Sequence, residues 1–333
     1  MAPPRAGWSD FGWQGLRLRV PDDWNLGRVE GDRRSGYARL DDPEIVRVEL
    51  EWRTANERVR EPVESLVDRY LASLEKKATK SGVRFTAQRR ARFLSDRRWL
   101  EGSEHEVFTW EADFRAHNLA LRTSAGRIVL LRLLSRRDER PSPAVETVCR
   151  SLQDLSAEAE WPWSVYGMTF AVPAELTLES HKLRSGHIQL SFERGKEVCR
   201  VQRLSLAGML LKGAALVDWY PVFCRQDLKD LEFELSPGEV SGHAALQVTG
   251  RPRSRWRQLL RPLPWLNPRP RLRLDGRVWH CPASDKICIV DHLFRREEEQ
   301  GDLAQRIADG YVCHEQKAEA EPRGDAQLPA HAE

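Results

Sequence analysis

The sequence predicts an α+β protein in which one small unit occurs twice in tandem, at residues 8–156 and 161–315. Three observations predict it. Short segments of alternating apolar residues recur in the same order in both halves, an amphipathic helix interrupts them at the same place, and the composition is globular. Hydrophobic residues make up 41% of the 333, charged residues 31%, and there are twelve tryptophans, too apolar and aromatic for a disordered chain.

The first recurrence is Gly15–Pro21 against Gly167–Pro173, which share the glycine, the alternation and a closing proline that ends a strand by removing a ladder donor. Val46–Leu50 then matches Val198–Leu204, Leu66–Tyr70 matches Leu216–Tyr220, and Val83–Phe85 matches Leu231–Phe233. Near the end of each half Gly126–Leu131 matches Asp285–Val290, followed by a short helix at Val145–Leu152 or Leu303–Cys313. Six matches in one order exceed chance, and they read as three strands, a helix, several antiparallel strands and a closing helix. In the first half Pro62 suits the start of the central helix, Val63, Leu66, Val67, Tyr70, Leu71, Leu74 and Ala78 form its apolar stripe, and Gly82 stops it. The second helix carries Leu216, Val217, Tyr220, Phe223, Cys224 and Leu228 but contains Pro221, which should kink or restart it.

This order, with Val-Pro after the first matched strand and a short helix after a buried one, resembles the PsbP-like superfamily over both halves. The resemblance implies two tandem α/β/α sandwich domains, each an antiparallel sheet covered by helices. It also implies non-catalytic binding to other proteins, as in the extrinsic subunit of the oxygen-evolving complex, and it transfers no catalytic residue.

Composition narrows the function classes. No apolar run reaches the ~20 residues that span a bilayer, Met1–Gly7 lacks the apolar core of a targeting signal, and 316–333 reads as a disordered polar tail, so a cytoplasmic protein is expected. A net charge of +3 excludes a polycation that coats nucleic acid or membrane with its whole surface. Phosphate-cradling, nucleophile-elbow and zinc-protease motifs are absent from the sequence. Paired acids such as Asp22-Asp23 and Asp41-Asp42 adjoin prolines and suit turns. His105, His117, His181, His187 and His243 are scattered singly and receive no role.

The densest reactive group is His280-Cys281, Cys288 and Asp291-His292, with Cys313-His314 beyond. A two-residue turn at Ser284-Asp285 would set Cys281 opposite Cys288, and the spacing fits no common zinc pattern. A reduced, buried thiol pair without metal is therefore expected, with an enzyme built on the Cys/His group at 280–292 as an alternative. Leu206–Val217 is apolar where the first half is charged, so it is either a surface covered by the other half or a second chain, or a longer core helix. Leu206, Met209, Leu210 and Leu211 should then be buried, with Val217 and Tyr220 on their own sheet.

The second half also carries an insertion, residues 251–273, with eight arginines, two tryptophans, five prolines and no acid. The prolines forbid regular structure throughout, and arginine with tryptophan suits an interface. Arg253, Arg255, Trp256, Arg257, Arg261, Trp265, Arg269 and Arg271 are the expected partner-binding residues, unless the tryptophans merely tuck the loop down. The sequence as a whole predicts a non-catalytic binding or scaffolding protein without a cofactor, whose partner is a protein. Nucleic acid or an anionic membrane surface, bound through the insertion, is the alternative.

Overall fold

The computed structural model describes residues 7–56, 58, 60–139, 143–253, 272–296 and 301–314. Each half opens with a hairpin that alternation alone does not reveal. Strand β1 (Trp8–Trp13) turns into β2 (Leu16–Pro21), and β11 (Glu160–Val165) into β12 (Met168–Pro173). The turns are Gln14-Gly15, with φ of 52° and 78°, and Tyr166-Gly167, with φ of 52° and 69°. Positive φ at both central residues is the twist that tight hairpins favour. With β3 (Asn25–Gly31), β4 (Ser35–Asp41) and β5 (Val46–Thr54), five strands precede the helix of the first half, and β13 (Thr177–Arg184), β14 (His187–Arg194) and β15 (Glu197–Ser205) complete five in the second. This corrects the expectation of three.

The helix of the first half, α1 (Val63–Ser81), begins after Pro62 and ends at Gly82, whose left-handed φ of 66° lets its N–H cap Ala78 and Thr79. Then come β6 (Thr86–Arg89), β7 (His105–Glu111), β8 (Phe114–Arg122), β9 (Arg127–Arg136), α2 (Ala144–Ser151) and β10 (Gln153–Asp154). In the second half three short helices, α3 (Ala207–Leu211), α4 (Leu216–Phe223) and α5 (Arg225–Leu228), stand where α1 stood, followed by β16 (Leu231–Val240), β17 (His243–Pro252), β18 (Arg273–Cys281), β19 (Lys286–Phe294) and α6 (Leu303–Asp309). Pro221 lies inside α4, and the helical run breaks three residues after it, at Cys224, rather than at the proline.

Two seven-stranded antiparallel sheets result, in the orders β3-β4-β5-β9-β8-β7-β6 and β13-β14-β15-β19-β18-β17-β16. Position by position the two orders correspond. A third sheet, β10-β2-β1-β11-β12, takes strands from both halves and closes where Gly12 of β1 pairs with Ser164 of β11. One face of each seven-stranded sheet carries the helix layer that follows the fifth strand: α1 seals Val63 and Val67 onto Phe108 and Ala120, and α4 and α5 seal Tyr220, Cys224 and Leu228 onto Val248, Val278 and Ile289. The opposite faces meet the shared sheet, so Val48, Leu50 and Leu131 of one and Leu190, Val201 and Val290 of the other join one core with Phe11, Leu18, Trp163 and Phe170. Trp13 and Trp163 meet edge to face there, ring centroids 5.0 Å apart.

Beneath each helix layer an acid–arginine register pair meets a tyrosine, and the two pairs have opposite polarity. In the first sheet Glu49 of β5 is the register partner of Arg132 of β9; the two are 2.9 Å apart, and Arg132 also donates to Tyr70 Oη on α1 at 3.2 Å. In the second, Arg200 of β15 is the register partner of Asp291 of β19, and Tyr220 Oη on α4 donates to Asp291 at 3.3 Å. Burial is the main cause that raises the Asp291 carboxyl to about 6, against the pull of Arg200 and the hydrogen bonds from Tyr220 and Gln202.

Two predictions follow from these contacts. A Cβ on Gly12 would stand 3.0 Å from both Pro162 O and Ser164 N, so Gly12→Ala should cost about 1–3 kcal/mol in urea unfolding, whereas Gly238→Ala, with no atom nearer than 4.0 Å, should stay within about 0.5 kcal/mol of wild type. Asp291 holds its proton more tightly folded than unfolded, so its contribution is complete below its ordinary value of 3.8 and is lost as pH rises through about 6. Asp291→Asn, which still accepts from Tyr220, should therefore gain on wild type by about 1–3 kcal/mol between pH 4 and pH 7; parallel stability curves would refute the assignment.

Candidate functional site

The second helix layer carries most of the exposed apolar surface. Leu206, Met209, Leu210, Val217, Val222 and Phe223 are all exposed, Met209 at 70% and Val222 at 74%. This corrects the expectation that Leu206, Met209 and Leu210 are buried against the other half and that Val217 faces its own sheet; Leu211 is only half-buried, and on its own half's core, while Tyr220 is buried as expected. The reason lies in how α3 is held. Its anchors are backbone groups, Ala207 N–H donating to Asp285 O at 3.0 Å and Gly208 N–H to Asp285 Oδ1 at 2.9 Å, and only the small Ala207 side chain is buried there. Leu206 and Lys212, which flank α3, both take left-handed φ, 61° and 51°. That conformation is uncommon for residues with long side chains and closes α3 after little more than one turn. On α4 the buried side is Tyr220 with Leu216 and Trp219 packed beside it, which turns Val217 and Val222 to solvent, while Phe223 stacks on Trp219 with centroids 4.6 Å apart. The corresponding α1 presents Glu64, Asp68, Arg69, Glu75, Lys76 and Lys77 outward instead.

The Cys/His group is arranged differently from the sequence expectation. The turn after β18 is a 3-10 turn over Pro282–Ser284 with Asp285 at φ 50°, and the register sets Cys281 opposite Lys286 and Cys288 opposite Trp279. Cys281 therefore does not face Cys288. It lies with Cys313, His314 and His243, whose ligand-type atoms all fall within 4.8 Å of one another. His314 Nδ1 is 3.2 Å from both sulfurs, and His243 Nε2 is 3.3 Å from Cys313 Sγ. His243, which received no role in the sequence, arrives through strand register: Ala245 pairs with Trp279, and the start of β17 beyond that pair brings His243 beside Cys281. Burial raises the Cys281 thiol, but hydrogen bonds from Ser284, Cys313 and the backbone of Ser284 and Ala283 outweigh it and bring the thiol below its ordinary value. Cys313 is pushed up to about 11, by burial first and then by Cys281. His280 and His292 do not join: His292 pairs with Glu197 at 2.7 Å, buried, farther along β19 where its register partners are Cys199 and Asp275.

Of the expected partner-binding residues only Arg253 lies within the described part. It is tied down rather than free: its backbone N–H donates to Asp230 O at 3.1 Å and its Nε to Leu231 O at 3.0 Å, extending the β16–β17 pair. Arg255, Trp256, Arg257, Arg261, Trp265, Arg269 and Arg271 lie outside the described residues. No described helix is long and apolar enough to cross a membrane.

No family model matches the chain, and neither does any curated protein. Similar solved structures include the Ran-binding protein Mog1p of Saccharomyces cerevisiae, at 12% identity and a TM-score of 0.32 over 46% of this chain and 95% of that one. They also include the cyanobacterial PsbP of Synechocystis sp. PCC 6803, at 12% and 0.33 over 46% and 96%. A third is the type VI secretion immunity protein TplEi of Pseudomonas aeruginosa in complex with a peptide, at 10% and 0.34 over 93% and 99%. A PsbP is thus among the structures that this chain resembles.

Proposed function

We propose that the chain is a non-catalytic binding protein whose partner is another protein, and that the partner docks on the apolar surface of α3 and α4. The carrying observation is positional. Six of the exposed large apolar side chains fall between Leu206 and Phe223, on the layer whose counterpart α1 is charged. A soluble protein rarely leaves so contiguous a patch uncovered without a partner for it. The mixture suits a protein surface: flexible Met209 and Leu210 adapt to shape, while the stacked Trp219–Phe223 pair gives a rigid anchor.

The corresponding strand orders support a further part of the reading, that residues 8–156 and 161–315 are two copies of one unit. In it the first copy kept a solvated helix and the second acquired the docking layer. Six cysteines, all buried and none disulfide-bonded, suit the cytoplasm.

The test is affinity capture from the native cell followed by reconstitution with the identified, purified partner. Met209→Ser with Val222→Ser should weaken the reconstituted complex by 10-fold or more, at ~1–2 kcal/mol per buried anchor lost, while leaving the melting temperature of the free chain unchanged. Affinity should vary little between about 50 and 200 mM salt, because the contact is apolar. A steep loss over that range that persists in the double variant would assign binding to the arginine-rich insertion and to a nucleic acid or anionic surface. Reconstituted affinity that ignores both the variant and salt would overturn the reading.

A further inference from the structure

We propose that His243, Cys281, Cys313 and His314 bind one Zn²⁺ ion, which pins the segment after α6 to the ends of β17 and β18. The donor set is two sulfurs and two imidazole nitrogens from three segments distant in sequence, and their spacing is that of a first coordination sphere. Zinc bonds of ~2.3 Å to sulfur and ~2.0 Å to nitrogen in tetrahedral geometry place sulfur and nitrogen about 3.5 Å apart; the three recorded sulfur–nitrogen distances are 3.2, 3.2 and 3.3 Å. Two thiolates and two neutral imidazoles around Zn²⁺ sum to zero charge, so the filled site can be buried without a net ion to solvate.

Burial distinguishes a structural ligand set from a nucleophile. Cys281 is wholly enclosed and Cys313 nearly so, while His243 and His314 are half-buried at the rim. A substrate atom has no approach to either sulfur, whereas an ion can enter between the imidazoles and be closed over by them. All four protein ligands together leave no open coordination position, which marks a structural rather than a catalytic site.

The first half shows what the same place in the fold requires. After α2 the chain pairs with β2, Gln153 with Arg17 and Asp154 with Leu16. Asp154 is locked by Thr123 Oγ1 at 2.6 Å and by Arg127 at 3.7 Å, an ion pair almost wholly buried. After α6 the chain likewise meets β12, where Val312 N–H donates to Thr169 O at 2.8 Å, but this is a single bridge and the next residue is Cys313 in place of an acid. Thiol and imidazole contacts alone are weak substitutes for a buried ion pair. A zinc ion supplies the clamp that Asp154, Thr123 and Arg127 supply in the first half.

The experiment uses the full chain, purified without chelator under reducing conditions. Elemental analysis should find one zinc per chain, lost in His243→Ala and in Cys281→Ser and retained in His280→Ala. Co²⁺ added to the stripped protein should give the intense visible bands of a tetrahedral site with thiolate-to-cobalt charge transfer. Stripping zinc should lower the melting temperature by about 5 °C and accelerate hydrogen exchange at the Val312 amide. Because the two histidines sit at the rim, His243→Ala and His314→Ala remain informative if the cysteine variants fail to fold. Zinc that survives His243→Ala and His314→Ala, a stripped protein that gives only the pale spectrum of octahedral Co²⁺, or a Cys281–Cys313 disulfide that persists in reductant would each overturn the proposal.

Discussion

The pairing of β1 with β11 is the constraint on which the rest of the architecture depends. Each seven-stranded sheet has one face under its own helix layer and one that packs into a core shared by both halves. The join at Gly12 and Ser164 makes one continuous floor from two hairpins. A glycine suits this join because a Cβ at position 12 would stand only 3.0 Å from Pro162 O and Ser164 N, tighter than ordinary contact. Ser164 ties the join from the other side, its hydroxyl donating to Asp10 O at 2.7 Å. Trp13 and Trp163 flank the closure in the core, and truncating either would forfeit about 3–5 kcal/mol by the usual cost of large buried aromatics.

Much of the fold is legible in the sequence because burial there is periodic. Val48, Leu50 and Trp52 alternate on β5, Cys199 and Val201 on β15, and the stripe from Val63 to Tyr70 has the helical period, so elements of those types are found where alternation and periodicity place them. The opening hairpins are hidden for a specific reason: Gln14-Gly15 and Tyr166-Gly167 adopt the conformation for which asparagine or aspartate before glycine is the usual signal. The apolar run from Leu206 is visible too, but its exposure is not, since periodicity cannot distinguish a side chain that seals a helix from one that faces outward when a backbone anchor such as Asp285 already holds the turn.

The Cys/His group marks another limit of sequence reading. Cys281, Cys313 and His314 stand out as residue types, yet what unites them with His243 is the β17–β18 register and the return of the chain after α6. Seventy residues separate His243 from Cys313, and no local spacing encodes that proximity. The two features combine in one picture of the second half. Its helix layer is held by short backbone anchors and leaves apolar side chains outside, while the opposite face, at the same β18–β19 turn, gathers four ligand-type side chains.

Two similar sheets on one chain pose a sorting problem during synthesis, because a strand from one half could add to the sheet of the other. The reversed charges at the central pair disfavour that addition. If β5 closed onto β19 in the native register, Glu49 would stand against Asp291, and the reciprocal error would set Arg200 against Arg132. Each swap buries like charges side by side, where opposite charges belong, and leaves the helix-layer tyrosine without its proper partner. Correct closure is thus marked by polarity as well as by shape, and an exchange of strands between the halves carries an electrostatic cost.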